Sequence, residues 1–398
     1  MRNVLSVSRS ILIVISLMVT GLSGKSMDEF NDRQTQYAFD LLDRILQDGS
    51  GENVFISPLS ISLALAMTYN GAEAETKKAM AEALHLEKLS LESVNDHFSS
   101  LRRQLGAADS LVKLNIANSI WYREGIDFKD TFFVTTEEKY AAEIHPLSTV
   151  EAVNGWVSEK TKNKIKSIID RINPQDIMLL INAIYFKGNW TSKFEPDLTR
   201  EHDFTLLDGT VKRHPLMSQA GEFHYFENEL FQAISLPYGN RQLRMLVFLP
   251  SESTGLRGFL NELDAERFTE WCRYLRPAKG DILLPKFKME YETKLNDILA
   301  DMGMAVAFNP ERADFTGMYD KSGEANVFIS EVLHKTFVEV NEEGTEAAAV
   351  TSVRMALTSA RETGPERFRM VVDRPFFCAI QDRTSGNIIF MGVITDPE

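Results

Sequence analysis

Ser57, Ser60, Asn182 and His334 are the residues whose types could assemble a nucleophile with its base, because a serine hydroxyl needs an imidazole within hydrogen-bonding reach to lose its proton. Each lies inside an apolar segment. Ser57 and Ser60 sit in Val54-Phe55-Ile56-Ser57-Pro58-Leu59-Ser60, Asn182 in the run from Met178 to Phe186, and His334 in the stretch from Val327 to Val340, which is rich in Val, Ile and Phe. Polar groups enclosed in this way need hydrogen-bond partners, and a buried network accounts for all four without catalysis. No G-x-S-x-G elbow, H-E-x-x-H helix, C-x-x-C pair or phosphate-binding glycine loop occurs in the chain. The expected chemistry is not an enzyme's, and no metal or cofactor is implied.

A second stretch is unusual in another way. Asn341-Glu342-Glu343-Gly344-Thr345-Glu346-Ala347-Ala348-Ala349-Val350-Thr351 begins, on propensity, like an alanine-rich helix. It follows a half-buried strand, however, in which Val338 and Val340 alternate with Glu339 and Asn341. Taken with period 2, Thr345, Ala347, Ala349, Thr351, Val353, Met355 and Leu357 share one face, and every charge falls on the other. Small side chains on one face and a permissive Gly344 suit a loop that can become a strand.

These residues resemble the serpin family. Glu342, Glu343, Gly344, Thr345, Glu346, Ala347, Ala348 and Ala349 are similar to that family's proximal hinge, and Met370-Val371-Val372-Asp373-Arg374-Pro375-Phe376-Phe377-Cys378-Ala379-Ile380 to its carboxy-terminal signature. Asn53-Val54-Phe55-Ile56-Ser57-Pro58-Leu59-Ser60, Asn182-Ala183-Ile184-Tyr185-Phe186-Lys187-Gly188-Asn189-Trp190 and Leu284-Pro285-Lys286-Phe287 resemble three further blocks, in the family's order. The resemblance implies one α+β domain over residues 24–398, with about nine helices, three β-sheets and an exposed reactive-centre loop over about 342–367. It places Ser57, Ser60, Asn182 and His334 in the shutter, where the main sheet parts, and Lys286, Glu342 and Trp190 in the breach, where the loop first enters.

The activity implied is suicide inhibition of extracellular serine proteases by a native monomer: the loop is cleaved, the protease is acylated, and the loop inserts into sheet A. Non-inhibitory serpins that act as carriers or chaperones are the alternative, and the small hinge residues favour inhibition. Counting fourteen positions beyond Gly344, as the family does, puts the reactive bond at Thr358-Ser359. Arg361-Glu362 is an alternative that would suit a trypsin-like enzyme, and Leu357-Thr358 one that would suit a chymotrypsin-like enzyme.

The elements that must position these residues are legible in outline. Tyr37 to Leu46 has amphipathic spacing, Ser57-Pro58 caps a helix, and Glu73 to Leu84, Leu91 to Leu105 and Val153 to Thr161 are further helices. Leu114 to Tyr122 alternates as a strand, and Met178 to Phe186 suits a central strand covered on both faces. Short strands at His202–Leu207, Phe223–Phe226, Ala233–Leu236 and Leu243–Pro250 precede helices at Gly258–Leu263 and Ala265–Leu275. Strands from Asp281, a helix at Lys294–Met302 and a strand before the hinge complete an α+β order.

Composition bounds the rest. The 398 residues are 44% hydrophobic and 25% charged, which gives a large core and no bias to disorder. Arg2 and Arg9, then uncharged Ile11 to Val19, then small residues to Gly24 read as a signal peptide over residues 1–23, so a secreted, extracellular protein is expected. That apolar run is too short to span a bilayer. Two cysteines, Cys272 and Cys378, argue against a disulfide scaffold, with Cys378 expected to be buried. A net charge of −14 without a basic patch gives no support to nucleic-acid binding. Arg102-Arg103 and Lys160, Lys162, Lys164 and Lys166 allow at most weak polyanion binding, and Asn189-Trp190-Thr191 is the single glycosylation sequon.

Overall fold

The computed structural model describes residues 27–47, 51–106, 111–320, 326–345 and 367–397. Helix α1, over residues 27–47, buries Phe30, Tyr37, Leu41 and Ile45 along one side. β1 (Val54–Ile56) leads into α2 (Pro58–Tyr69), α3 (Ala74–Ala83), α4 (Leu91–Gly106), β2 (Val112–Tyr122), α5 (Asp130–Tyr140), β3 (Glu143–Pro146), α6 (Val150–Lys160) and β4 (Met178–Asn189). Strands then dominate. β5 (Arg200–Thr205), β6 (Val211–Glu227), β7 (Phe231–Pro237) and β8 (Leu243–Pro250) precede α7 (Gly255–Glu262) and α8 (Ala265–Tyr274). β9 (Arg276–Pro285), β10 (Phe287–Lys294), the short α9 (Asn296–Leu299), β11 (Glu331–Asn341), β12 (Gly344–Thr345), β13 (Phe368–Val371), β14 (Phe376–Asp382) and β15 (Ile388–Ile394) follow.

Nine α-helices among the described residues, clustered toward the first half, meet the α+β expectation. The strands form a six-stranded sheet ordered β10-β11-β12-β4-β2-β3 and a nine-stranded one ordered β1-β15-β14-β8-β7-β6-β9-β13, with β5 added on β6. The second and third sheets of the expected fold are continuous, because the 17-residue β6 pairs with β5 and β9 along most of its length and with β7 at its end.

β4 explains why its sequence is apolar without interruption. Leu180, Ile184 and Phe186 face the main core, whereas Leu179, Ile181, Ala183 and Tyr185 face a second cluster with Val153 and Val157 of α6. Both faces of the strand are covered, so both parities must be apolar. α2 is buried at all twelve positions and therefore carries no polar face. Its start is as expected: the Ser57 hydroxyl accepts from the Ser60 N–H at 3.4 Å, and Pro58 occupies the first turn.

Two local departures have plain causes. α5 is absent from the sequence reading because Thr131, Phe132, Phe133, Val134, Thr135 and Thr136 have weak helix propensity, and tertiary packing of Phe132, Thr136 and Tyr140 overrides it. The helix expected over Lys294–Met302 is shortened to α9 and a π turn at Ala300–Met304, where Gly303 takes φ 106°.

Candidate functional site

β4 and β11 run parallel and directly paired from Leu179 opposite Glu331 to Tyr185 opposite Phe337. Above that point they part, and β12 lies between them, antiparallel to both: Thr345 is opposite Gly188 on one side and Val340 on the other. The six-stranded sheet thus has a closed lower seam and an upper end already occupied by the start of the hinge.

The closed seam is held by the four residues singled out first. His334 stands opposite Asn182. The Ser57 backbone N–H donates to His334 Nε2 at 3.1 Å, so that nitrogen is an acceptor and the Nδ1 hydrogen is donated to Asn182 Oδ1. Asn182 Nδ2 in turn donates to the Ser60 carbonyl at 3.0 Å, to Ser60 Oγ and to Asn118 Oδ1. The Ser57 hydroxyl donates to the Ile389 carbonyl at 2.6 Å. Ser57, Ser60, Asn182 and His334 are all 0% exposed. Burial drives the His334 pKa down to about 3, so the ring is neutral. With Nε2 taken by a backbone N–H, it cannot relieve a serine of its proton, and the network reading holds over a Ser–His nucleophile.

Asn118 belongs to this network, and the sequence reading missed it. Its signal was an amide inside the alternation Leu114, Ile116, Asn118, Ile120, since a polar residue on an apolar face calls for a buried partner.

At the upper end Lys286 pairs with Glu342, and Trp190 is bonded to the backbone on either side of Glu342. Lys286 Nζ lies 3.0 Å from Glu342 Oε2, and Thr199 Oγ1 donates to Glu342 Oε1 at 2.8 Å. Burial opposes the Glu342 carboxylate, but the hydrogen bonds from Lys286 and Thr199 prevail and hold it below its usual range. Trp190 donates its Nε1 hydrogen to the Asn341 carbonyl and its backbone N–H to that of Glu343, each at 2.9 Å. Its ring stacks on Tyr238 at 4.4 Å between centroids.

The described part of the hinge is already in the sheet. Thr345 is 0% exposed and shares a hydrogen bond of 2.9 Å with Tyr238, a contact that the sequence reading also missed. Gly344 has φ 146°, and a Cβ there would stand 2.0 Å from the Gly188 carbonyl oxygen, so only glycine fits. No helix forms at 342–345 despite the propensity of these residues, and Gly344 and Thr345, read as part of an exposed loop, are instead buried in the sheet. Glu346, Ala347, Ala348, Ala349, Thr358, Ser359, Arg361 and Glu362 lie outside the described residues.

The remaining candidates are less coherent. Asn189 ends β4 opposite Gly344, its Oδ1 is buried, and Trp190 of the sequon is 4% exposed, an arrangement that gives glycosylation no support. Lys160 is engaged by Glu143, Lys164 stands 5.3 Å from the Phe337 ring centroid, and Arg102 donates to the Glu138 carbonyl at 3.3 Å. Cys272 and Cys378 are free thiols whose pKa values burial pushes up to about 12.

A family model described as serpin, serine protease inhibitor, matches residues 32–397. The chain is 34% identical to leukocyte elastase inhibitor of Xenopus laevis over 93% of its own length and 100% of that protein's. It is 35% identical to Serpin B6 of Macaca fascicularis over the same shares. Among solved structures it resembles a thermophilic serpin, tengpin, in the native state, with TM-score 0.85 and 33% identity over 92% of this chain and 94% of that one. The expectation of a secreted, extracellular protein is overturned by these relatives. Leukocyte elastase inhibitor and Serpin B6 are intracellular serpins. The stretch read as a leader at 1–23 lies outside the described residues.

Proposed function

The chain belongs to the serpin family of serine protease inhibitors, and from that premise we propose that it inhibits serine proteases by a suicide-substrate mechanism. The observation that carries this reading is β12, held between β4 and β11 and antiparallel to both, directly above a seam where those two strands pair with each other. A protease serine attacks the loop carbonyl, the amide breaks, the amine side leaves protonated, and an acyl ester links loop and enzyme. The freed loop then continues β12 downward. Extending the β12 register along β4 and along β11 brings the same residue, Thr351, opposite both Asn182 and His334. The slot is commensurate from both sides, so a continuous strand can enter without a bulge. Thr345, Ala347, Ala349 and Thr351 would then face inward, where small side chains avoid clashes with the core.

Insertion must break the direct β4–β11 pairing and the His334–Asn182 bond, and it gains two ladders in exchange. At roughly 0.5–1.5 kcal/mol net for each added hydrogen bond, the completed strand is strongly favoured. The native state is therefore metastable, and insertion outruns hydrolysis of the ester.

Mixing the protein with a panel of trypsin-, chymotrypsin- and elastase-like enzymes tests this on a denaturing gel. We expect a band that survives SDS at the summed mass of inhibitor and protease, and a cleaved form whose unfolding temperature is well above the native one. Cleavage by every enzyme without such a band, or cleavage without a gain in stability, rules the mechanism out.

A further inference from the structure

A cavity of about 300 Å³ opens behind Trp190, between the β7–β8 turn and the body of the nine-stranded sheet. Its charged lining is strongly unbalanced. Arg241, Arg244 and Arg383 face it together with His224, against the single carboxylate of Glu222. Among the described residues none of the three guanidinium groups has an ion-pair partner. Arg244 is held by a neutral group, donating from Nε and Nη2 to Gln381 Oε1 at 3.1 and 2.7 Å. Arg383 donates to the Arg241 carbonyl at 3.3 Å. Burial, then the charges of Arg383 and Arg244, hold His224 below its usual range, and burial lowers Arg244 likewise.

The β7–β8 turn adds an independent sign. Arg241 has φ 74°, a conformation in which glycine or asparagine is the ordinary choice. An arginine there carries local strain in order to place a cation at the cavity mouth, and strain of this kind clusters at binding sites. Trp190, Phe194 and Phe223 add aromatic walls beside the polar Ser192, Gln219 and Ser235.

We propose that this cavity binds a small organic anion with an aromatic or alicyclic body, its carboxylate or sulfonate among Arg241, Arg244 and Arg383 and its ring against Trp190. Convergent guanidinium groups suit such headgroups because their N–H forks match paired oxygens. A cavity of about 300 Å³ that sets a cluster of cationic side chains beside aromatic walls is large enough for a small organic anion. The inference concerns the native chain alone and does not depend on inhibition. Trp190 is also bonded to Asn341 and Glu343, so occupancy would be felt at the hinge.

The test is calorimetric titration of the full native chain, without protease, using 2-naphthoate and its uncharged analogue 2-naphthamide. We expect naphthoate to bind at least about tenfold more tightly than the amide and to weaken with added salt. Arg383→Gln and Arg241→Gly should each weaken naphthoate by roughly three- to tenfold and leave the amide unchanged. Arg241→Gly suits the φ of its position, so folding is kept. Absence of naphthoate binding, equal binding of acid and amide, or unaltered naphthoate affinity in Arg241→Gly overturns the proposal.

Discussion

His334 and Asn182 face each other across the parallel pair β11 and β4, and the imidazole Nδ1 hydrogen bonds the Asn182 amide oxygen at the line along which the sheet would part. The same imidazole takes the Ser57 backbone N–H, and the same amide reaches Ser60 and Asn118. One neutral ring thus ties both strands to the start of α2 and to β2. Removing any member leaves buried donors or acceptors without partners, at about 1–3 kcal/mol each.

Protonation at Nε2 should break the bond that this nitrogen accepts from the Ser57 backbone N–H. The His334 pKa is about 3 in the fold against 6.5 for the free side chain, so on acidification the unfolded chain takes up the proton first. The stabilisation is complete above about pH 6.5 and is lost as pH falls toward 3, amounting to roughly 1–2 kcal/mol between pH 7 and pH 5. NMR titration of the His334 ring should show no inflection above pH 5, and the urea midpoint of the native protein should fall over that interval by more than that of His334→Gln. An inflection near 6.5 would contradict the buried, neutral assignment.

Thr345→Arg should convert the inhibitor into a substrate. Thr345 is fully buried against Tyr238 and opposite Gly188. Burying an unpaired charge is unfavourable by several kcal/mol, so insertion slows and deacylation overtakes it. We expect cleaved inhibitor in place of most of the covalent band, and faster amide exchange at Gly344 and Thr345 in the native protein. Unchanged complex yield would refute the inward placement of this face.

How far the sequence carried these arguments depended on how local each signal was. β4 and β11 were legible because their apolar runs are long, and Ser57-Pro58 because a cap and a first-turn proline sit side by side. That Ser57, Asn182 and His334 meet could not be read from residue types alone, since they are separated by more than a hundred positions, and it rested on the family resemblance. Tyr238 stayed invisible: a tyrosine before a glycine turn looks like any other, and only the fold places its hydroxyl on Thr345. At Glu342 to Thr345 helix propensity pointed the wrong way, because pairing with two strands outweighs a few tenths of a kcal/mol per residue.

Glu342→Lys should loosen the upper end of the sheet. The Glu342 side chain is only 12% exposed and is held by Lys286 and Thr199, so a lysine there replaces a salt bridge with like charges and leaves both partners unmatched. Loss of about 1–3 kcal/mol is expected at this point. With β12 unseated, the unpaired edges of β4 and β11 can accept a strand from another molecule. Native gels after mild heating should show ladders for the variant and monomer for the parent, and Lys286→Glu in the same chain should restore monomer. A monomeric single variant of parental stability would refute the pairing's role.

The reactive bond sets the target class and can be read directly. Counting from Gly344 gives Thr358-Ser359, where a small β-branched residue preceded by Leu357 suits a shallow, elastase-like pocket. The segment from Ser359 to Pro375 is somewhat longer than the family's usual distal side, which brings Arg361-Glu362 into competition, because a guanidinium pairs well with a buried pocket carboxylate. The two bonds predict different released peptides. Mass spectrometry after complex formation should find a fragment beginning at Ser359, with an elastase-like enzyme giving the faster complex. Thr358→Arg should then shift preference to trypsin-like enzymes by about a hundredfold or more, the contrast expected between a charge-paired and an unfilled specificity pocket. A fragment beginning at Glu362, together with loss of trypsin-like inhibition in Arg361→Ala, would move the bond three residues on and the target class with it.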